Sequence, residues 1–240
     1  MYEPRLYREW IEKSGLVTFN VVERESDLQI RAHRELRKRA AEALREARAD
    51  IEREIARHPE FGTSLSRLPM PPAPAPIVAA MISAAREYDV GPMAAVAGAV
   101  AEAVGRALLD RTPEIIVENG GDIFLKMNRP VEIGLYAGAD SPFTGVGRFR
   151  VDPGGGVLGV CTSSGTVGHS ASFGRADAVV ALAGSAALAD AAATAVGNRI
   201  KGAADVEAVL AEEQERAVLD GLLIAVGKRI GAWGKLELIG

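Results

Sequence analysis

Between residues 188 and 198 the chain reads Leu188-Ala189-Asp190-Ala191-Ala192-Ala193-Thr194-Ala195-Val196-Gly197-Asn198. On a helix, Asp190, Thr194 and Asn198 fall at i, i+4 and i+8 and share one face. Their neighbours are nearly all small and apolar. With aromatics at 5% of the chain and 26 glycines, a core here must pack through small residues and close backbone approach, not through large rings. A carboxylate set into such a helix is costly unless something pairs with it. A hard cation would serve, because Mg²⁺ takes one or two carboxylates together with other oxygen donors and phosphates. A basic side chain such as Arg175, or a backbone N–H, would also serve.

The surrounding pattern predicts an α+β fold of a mixed or antiparallel sheet packed against helices around a single core. One domain over 1–240 is sufficient for 240 residues of which 48% are hydrophobic. Strands are expected in the N-terminal segment 1–32, with a turn at Ser26-Asp27. A long helix follows over 33–57, where Leu36, Ala40, Leu44, Ala47, Ile51 and Ile55 make one apolar stripe. Residues 66–76, with five prolines, read as an extended connector. Helices are expected at 77–88 and 92–110, the second opening on Pro92. Strands follow at 114–117, 123–125, 131–135, 156–162 and 177–183. After helices at 186–200 and 204–217, segments 220–226 and 233–239 read as a final hairpin.

Two further segments could carry chemistry. Glu118-Asn119-Gly120-Gly121-Asp122 joins two apolar strands. Asn-Gly is a hairpin signal, while two glycines also let a ligand approach the backbone and aim amides at an anion. Cys161-Thr162-Ser163-Ser164-Gly165-Thr166-Val167-Gly168-His169-Ser170 gathers hydroxyls, glycines and a histidine. Such a run suits a phosphate or a polar ring edge, or is simply a hydroxyl-rich turn. Cys161 is the one cysteine, so no intrachain disulfide can form. The formal net charge of −4 gives no basic surplus for nucleic acid. With no signal-peptide pattern and no membrane-spanning run, the expectation is a cytoplasmic protein without membrane insertion.

Together, the two-glycine turn ending in Asp, the Ser-Ser-Gly loop and the Ala-Asp-Ala-Ala-Ala-Thr-Ala helix resemble the ApbE-like superfamily of flavin transferases. More narrowly, Val90-Gly91-Pro92-Met93-Ala94-Ala95-Val96-Ala97-Gly98 together with Ser163 to Ser170 is similar to the UPF0280 family, over a span from about residue 15 to the end. The resemblance implies a T-fold-like ApbE-type architecture and a site for FAD and Mg²⁺. It implies that Asp190 and Thr194 hold the metal. Asn119, Gly120, Gly121 and Asp122, with Ser163, Ser164, Gly165 and Thr166, would then hold the flavin nucleotide, and His169 would act as acid or base. The turn departs from the superfamily's Asn-x-Gly-Gly-Asp spacing by one residue. The Asp-Pro-x-Thr-Gly segment that flavin transferases carry before the metal helix is absent.

Three functions follow as expectations. One is a Mg²⁺-dependent flavin transferase or related enzyme that cleaves a phosphoanhydride. Another is a sulfur-metabolism enzyme that uses Cys161 as a thiolate or persulfide carrier. The third is a non-catalytic flavin- or nucleotide-binding protein. The expected partner is a small-molecule flavin or nucleotide, and a homodimer is compatible with the composition.

Overall fold

The computed structural model describes residues 15–135, 137, 147–165 and 174–239. Its main element is an eight-stranded sheet, antiparallel throughout, in the order β1-β2-β3-β4-β7-β8-β9-β10. These strands are β1 (Val17–Glu23), β2 (Ser26–Ala32), β3 (Ile115–Asn119), β4 (Asp122–Lys126), β7 (Val157–Ser163), β8 (Ala178–Ala183), β9 (Gly221–Val226) and β10 (Arg229–Gly234). A second, three-stranded sheet is built from β5 (Val131–Gly134), β6 (Arg148–Val151) and β11 (Leu236–Ile239), in the order β11-β6-β5.

Period-two alternation divides the core between the two faces of the large sheet. Ile115, Val117, Phe124, Cys161, Val179 and Ala181 point into a cluster shared with the helices. Ile116, Ile123, Leu125, Val160, Val180 and Leu223 point the other way, onto Val131, Ile133, Phe149 and Val151 of the small sheet. The helices are α1 (Arg37–Arg57), α2 (Pro76–Tyr88), α3 (Val96–Leu108), α4 (Ala186–Arg199) and α5 (Val206–Arg216). The α+β expectation therefore holds, as antiparallel sheets packed against five helices.

Of the stripe expected on the first helix, Ala40, Leu44, Ala47 and Ile51 are buried, Ile55 is half-buried and Leu36 stands just before the helix, while Glu54 is buried as well. The helix expected from Pro92 is divided. Pro92–Ala95 forms a 3-10 turn, and α3 proper begins at Val96. The first hairpin turns at Arg24 and Glu25, because Glu23 pairs with Ser26, so Ser26-Asp27 opens β2 instead of making the turn. The last hairpin joins β9 to β10. Residues 236–239, expected in that hairpin, cross to the small sheet beside β6. Strand β6 lies in a stretch for which the sequence pattern predicts no strand.

Helix α4 lies flat on β7 and β8 because the strand beneath it lacks a side chain. A Cβ at Gly159 would stand 2.4 Å from Ala186 Cα and 2.6 Å from Ala186 N. Backbone atoms of a packed helix have little room to yield. Gly159→Ala is expected to cost about 1–3 kcal/mol through overpacking, read as a lower urea midpoint at unchanged slope. A midpoint equal to wild type would mean that α4 can lift from the sheet freely.

Candidate functional site

The Glu118 to Asp122 segment is a two-residue hairpin. Gly120 and Gly121 both take positive φ, 68° and 104°, as a type I′ turn requires and as glycine permits without strain. Asn119 pairs directly with Asp122, so both side chains fall on the helix face of the sheet. The Asn119 Nδ2 amide donates to the Ala97 carbonyl at 3.1 Å. An Asp122 carboxylate oxygen accepts from the Thr162 N–H at 3.2 Å. Glu118, one residue earlier, faces the opposite way. It is 1% exposed, and its carboxylate accepts from the Gly121 N–H at 2.9 Å. The turn is thus braced from behind by a buried acid that the sequence reading did not single out.

Across from the turn, the shared face of α4 is real. Asp190, Thr194 and Asn198 keep accessible surface, whereas Ala189, Ala191, Ala192, Ala193, Val196 and Gly197 are buried. The partner of Asp190 is the third alternative named above, a backbone N–H. Its Oδ2 accepts from Gly98 N at 2.9 Å. Gly98 allows this because its missing side chain would fall 2.2 Å from the Ala186 carbonyl oxygen and 2.9 Å from Asp190 Cβ. A glycine inside a helix costs about 1 kcal/mol relative to alanine, and that local cost was the signal in the sequence that something must approach there.

Both carboxylates hold their protons more tightly than usual. Burial pushes Asp190 up to about 7, held back by the amides of Gly98 and Ala97. Burial first, and the Asp190 charge second, push Asp122 well above the usual carboxylate range. Asp190 itself is half-buried. The Asp190 charge thus raises the proton affinity of Asp122, and a cation placed between them would favour the ionised forms. Among the described residues no group of three or more His, Cys, Asp or Glu side chains is placed to hold a metal ion.

Cys161 is fully buried. Its Sγ donates to the Ala186 carbonyl at 3.3 Å. Burial, and then the charges of Asp122 and Asp190, push its thiol well above the usual range. A reactive cysteine needs the opposite surroundings, exposed and electropositive. The structure makes Cys161 a donor that ties β7 to the start of α4, in surroundings unlike those a thiolate carrier needs.

Ser163, the last residue of β7, and Gly165 just after it lie beside a later stretch of α4, near Gly197. The Gly165 N–H donates to the Ala176 carbonyl at 2.9 Å. A Cβ on Gly165 would meet the Gly174 carbonyl oxygen at 2.4 Å, and one on Gly174 would meet that of Gly197 at 1.8 Å. This stack of three glycine backbones lies two turns of α4 beyond Asp190, about 10 Å at 1.5 Å per residue. Ser163 is buried and Ser164 half-buried. Thr166 and His169 lie outside the described residues. The structure therefore brings Asn119, Asp122 and Asp190 into one neighbourhood, with Thr194 one turn further along α4 and Ser163 at the end of β7 beside Gly197.

A family model described as "AbpE bacteria" matches residues 8–219. A UPF0280 protein of Methanopyrus kandleri is 41% identical over 229 residues, covering 92% of this chain and 91% of its own. One from Methanoculleus marisnigri is 46% identical over 194 residues, covering 80% and 78%. The chain belongs to the UPF0280 family. Among solved structures, the flavin transferase ApbE from Vibrio cholerae superposes with a TM-score of 0.62 at 14% identity, covering 90% of this chain and 96% of that one. The ApbE protein of Thermotoga maritima gives 0.58 at 13% identity, covering 90% and 96%. The UPF0280 chain therefore has the ApbE-type fold that its motifs implied. Among its described residues, no helix is long and apolar enough to cross a membrane.

Proposed function

We propose that this UPF0280 protein is a Mg²⁺-dependent enzyme acting on a flavin nucleotide, with FAD as substrate: an acceptor hydroxyl takes the FMN phosphoryl group as the phosphoanhydride breaks and AMP leaves. The observation that carries this reading is the pairing of Asp122 from the sheet with Asp190 from α4 beside a two-glycine turn. Asp190 and Thr194 would hold the cation, with Asp122 facing it. Bound there, Mg²⁺ supplies neutralisation of charge on the phosphate oxygens. Asn119 steadies the turn against α3 through Ala97. The Gly121 N–H is taken by the Glu118 carboxylate, so of the two turn amides that of Gly120 would be the one to meet an anion. The Ser163 to Gly165 segment, about 10 Å along α4, takes the far end of an extended nucleotide. The role of acid or base is assigned to His169, on the resemblance alone.

The ApbE-type fold of solved flavin transferases supports the reading. The burial of Cys161 favours it over the sulfur chemistry. The test is a thermal-shift titration with FAD, FMN and ADP, with and without Mg²⁺. FAD with Mg²⁺ at 100 times the dissociation constant is expected to add about 2.7 kcal/mol of stability. Asp190→Asn is the informative variant, since its amide oxygen can still accept from Gly98 N while the charge is gone. It is expected to lose the Mg²⁺-dependent part of the shift. No shift with any nucleotide would overturn the reading. Tight binding of FAD without turnover for any acceptor would leave a binding protein.

A further inference from the structure

The first N–H groups of a helix have no carbonyl partner within it, and neither α3 nor α4 has an acidic residue in its own first turn. Each takes one from the other. Asp190, from within α4, accepts from Gly98 N in the first turn of α3 at 2.9 Å. Glu102, from within α3, accepts at one oxygen from Ser185 Oγ at 2.8 Å, Ala186 N at 2.7 Å and Ala187 N at 3.4 Å, all at the start of α4. Gly98 and Glu102 are one turn apart on α3, and Ala186 and Asp190 one turn apart on α4. The two contacts therefore form opposite corners of one patch, closed by the bare Cα of Gly98. Glu102 is itself held. Its other oxygen pairs with Arg106 at 2.7 Å, and the Arg106 guanidinium lies 5.6 Å from the centre of the Phe124 ring on β4.

We propose that Glu102 is a positioning residue for Asp190. By fixing the first turn of α4 against α3, it sets where the Asp190 carboxylate stands one turn later. Losing Glu102 therefore releases Asp190 from Gly98 as well as freeing Ala186. The ligand consequence rests on the reading given under Proposed function, but the positioning itself does not.

Residue-resolved amide hydrogen exchange of the ligand-free protein tests it, since the carboxylates are the partners of these first-turn amides. In Glu102→Ala, protection is expected to fall about ten-fold or more at Ala186, as for loss of a charge-assisted bond, and to fall at Gly98 too. In Glu102→Gln, whose amide oxygen can still accept from Ala186 N while half-exposed Arg106 turns to solvent, Gly98 protection is expected to stay near wild type. Glu102→Asp keeps the charge but retracts it by one methylene, so it should lower protection at both sites if the alanine variant does not fold. Gly98 protection unchanged while that of Ala186 collapses would overturn the proposal. So would an equal loss at Gly98 and at Val180 in the central strand β8, which marks general destabilisation. A parallel Mg²⁺–FAD titration separates the two ideas. Weaker binding in Glu102→Ala with rescue in Glu102→Gln supports positioning. No wild-type shift removes the flavin reading, and the exchange data alone then decide the role of Glu102.

Discussion

Glu213→Ala is expected to lower the unfolding free energy by about 3 kcal/mol, a fall in Tm of about 6–12 °C for a chain of this size. Glu213 lies in α5 and is fully buried. Its carboxylate accepts from the Tyr88 hydroxyl of α2 at 3.2 Å and pairs with Arg199 at the end of α4 and with Arg216. Arg216 also stacks 4.4 Å from the centre of the Tyr88 ring. Burial, and then the Glu213 charge, push the Tyr88 hydroxyl well above its usual range. Removing the acid leaves that hydroxyl buried without its acceptor. The estimate sits at the lower end for a broken buried pair because about a third of each arginine side chain is in water, 36% for Arg199 and 34% for Arg216. Both can regain solvent. Chemical denaturation of the alanine and glutamine variants checks this. An alanine variant within 1 kcal/mol of wild type (roughly the mean single-substitution effect) would mean that the network is dispensable.

The second large effect is on pH. Asp190 and Asp122 both bind their protons more tightly in the folded protein than in an unfolded chain, where a carboxyl titrates near about 3.9. The stability they contribute is therefore fully present below about 3.9 and is lost as pH rises through the folded values, which for Asp190 is about 7. Metal-free protein should lose stability from pH 5 to pH 8, with a limiting slope of about 1.4 kcal/mol per pH unit for each proton held. Mg²⁺ should restore more at pH 8 than at pH 5, because a cation favours the ionised pair. Urea unfolding at the two pH values, with and without Mg²⁺, reads both effects. Asp190→Asn should flatten the metal-free slope. A metal-free protein that gains stability over this range would contradict the geometry.

What the sequence disclosed was local. The stripe on α1, the helix bearing Asp190 and Thr194, and the Asn-Gly-Gly-Asp turn are all set by spacing within a few residues, and all three formed where expected. What it hid depends on residues far apart along the chain. Glu102 meets Ala186 across 84 positions and Gly98 meets Asp190 across 92, so no periodicity could pair them. Strand β6, Arg148-Phe149-Arg150-Val151, alternates cleanly but is only four residues long, too short a run to stand out alone. Cys161 shows the same limit in reverse. Its place beside a hydroxyl-rich loop suggested reactivity, and only the packing of α4 onto β7 revealed that it is sealed.

The two-residue turn at Gly120 and Gly121 also limits how this chain can change. Strand residues alternate sides, so the number of residues in the turn decides which side Asp122 occupies. With two, it lies opposite Asn119 on the helix side. One insertion or deletion there would either shift the register of β4 against β7 or send Asp122 toward the small sheet. Either way it would move the Phe124 ring that now fills the space over Gly105. Point substitutions on this hairpin can be graded in effect, but a change of length by a single residue is all-or-none.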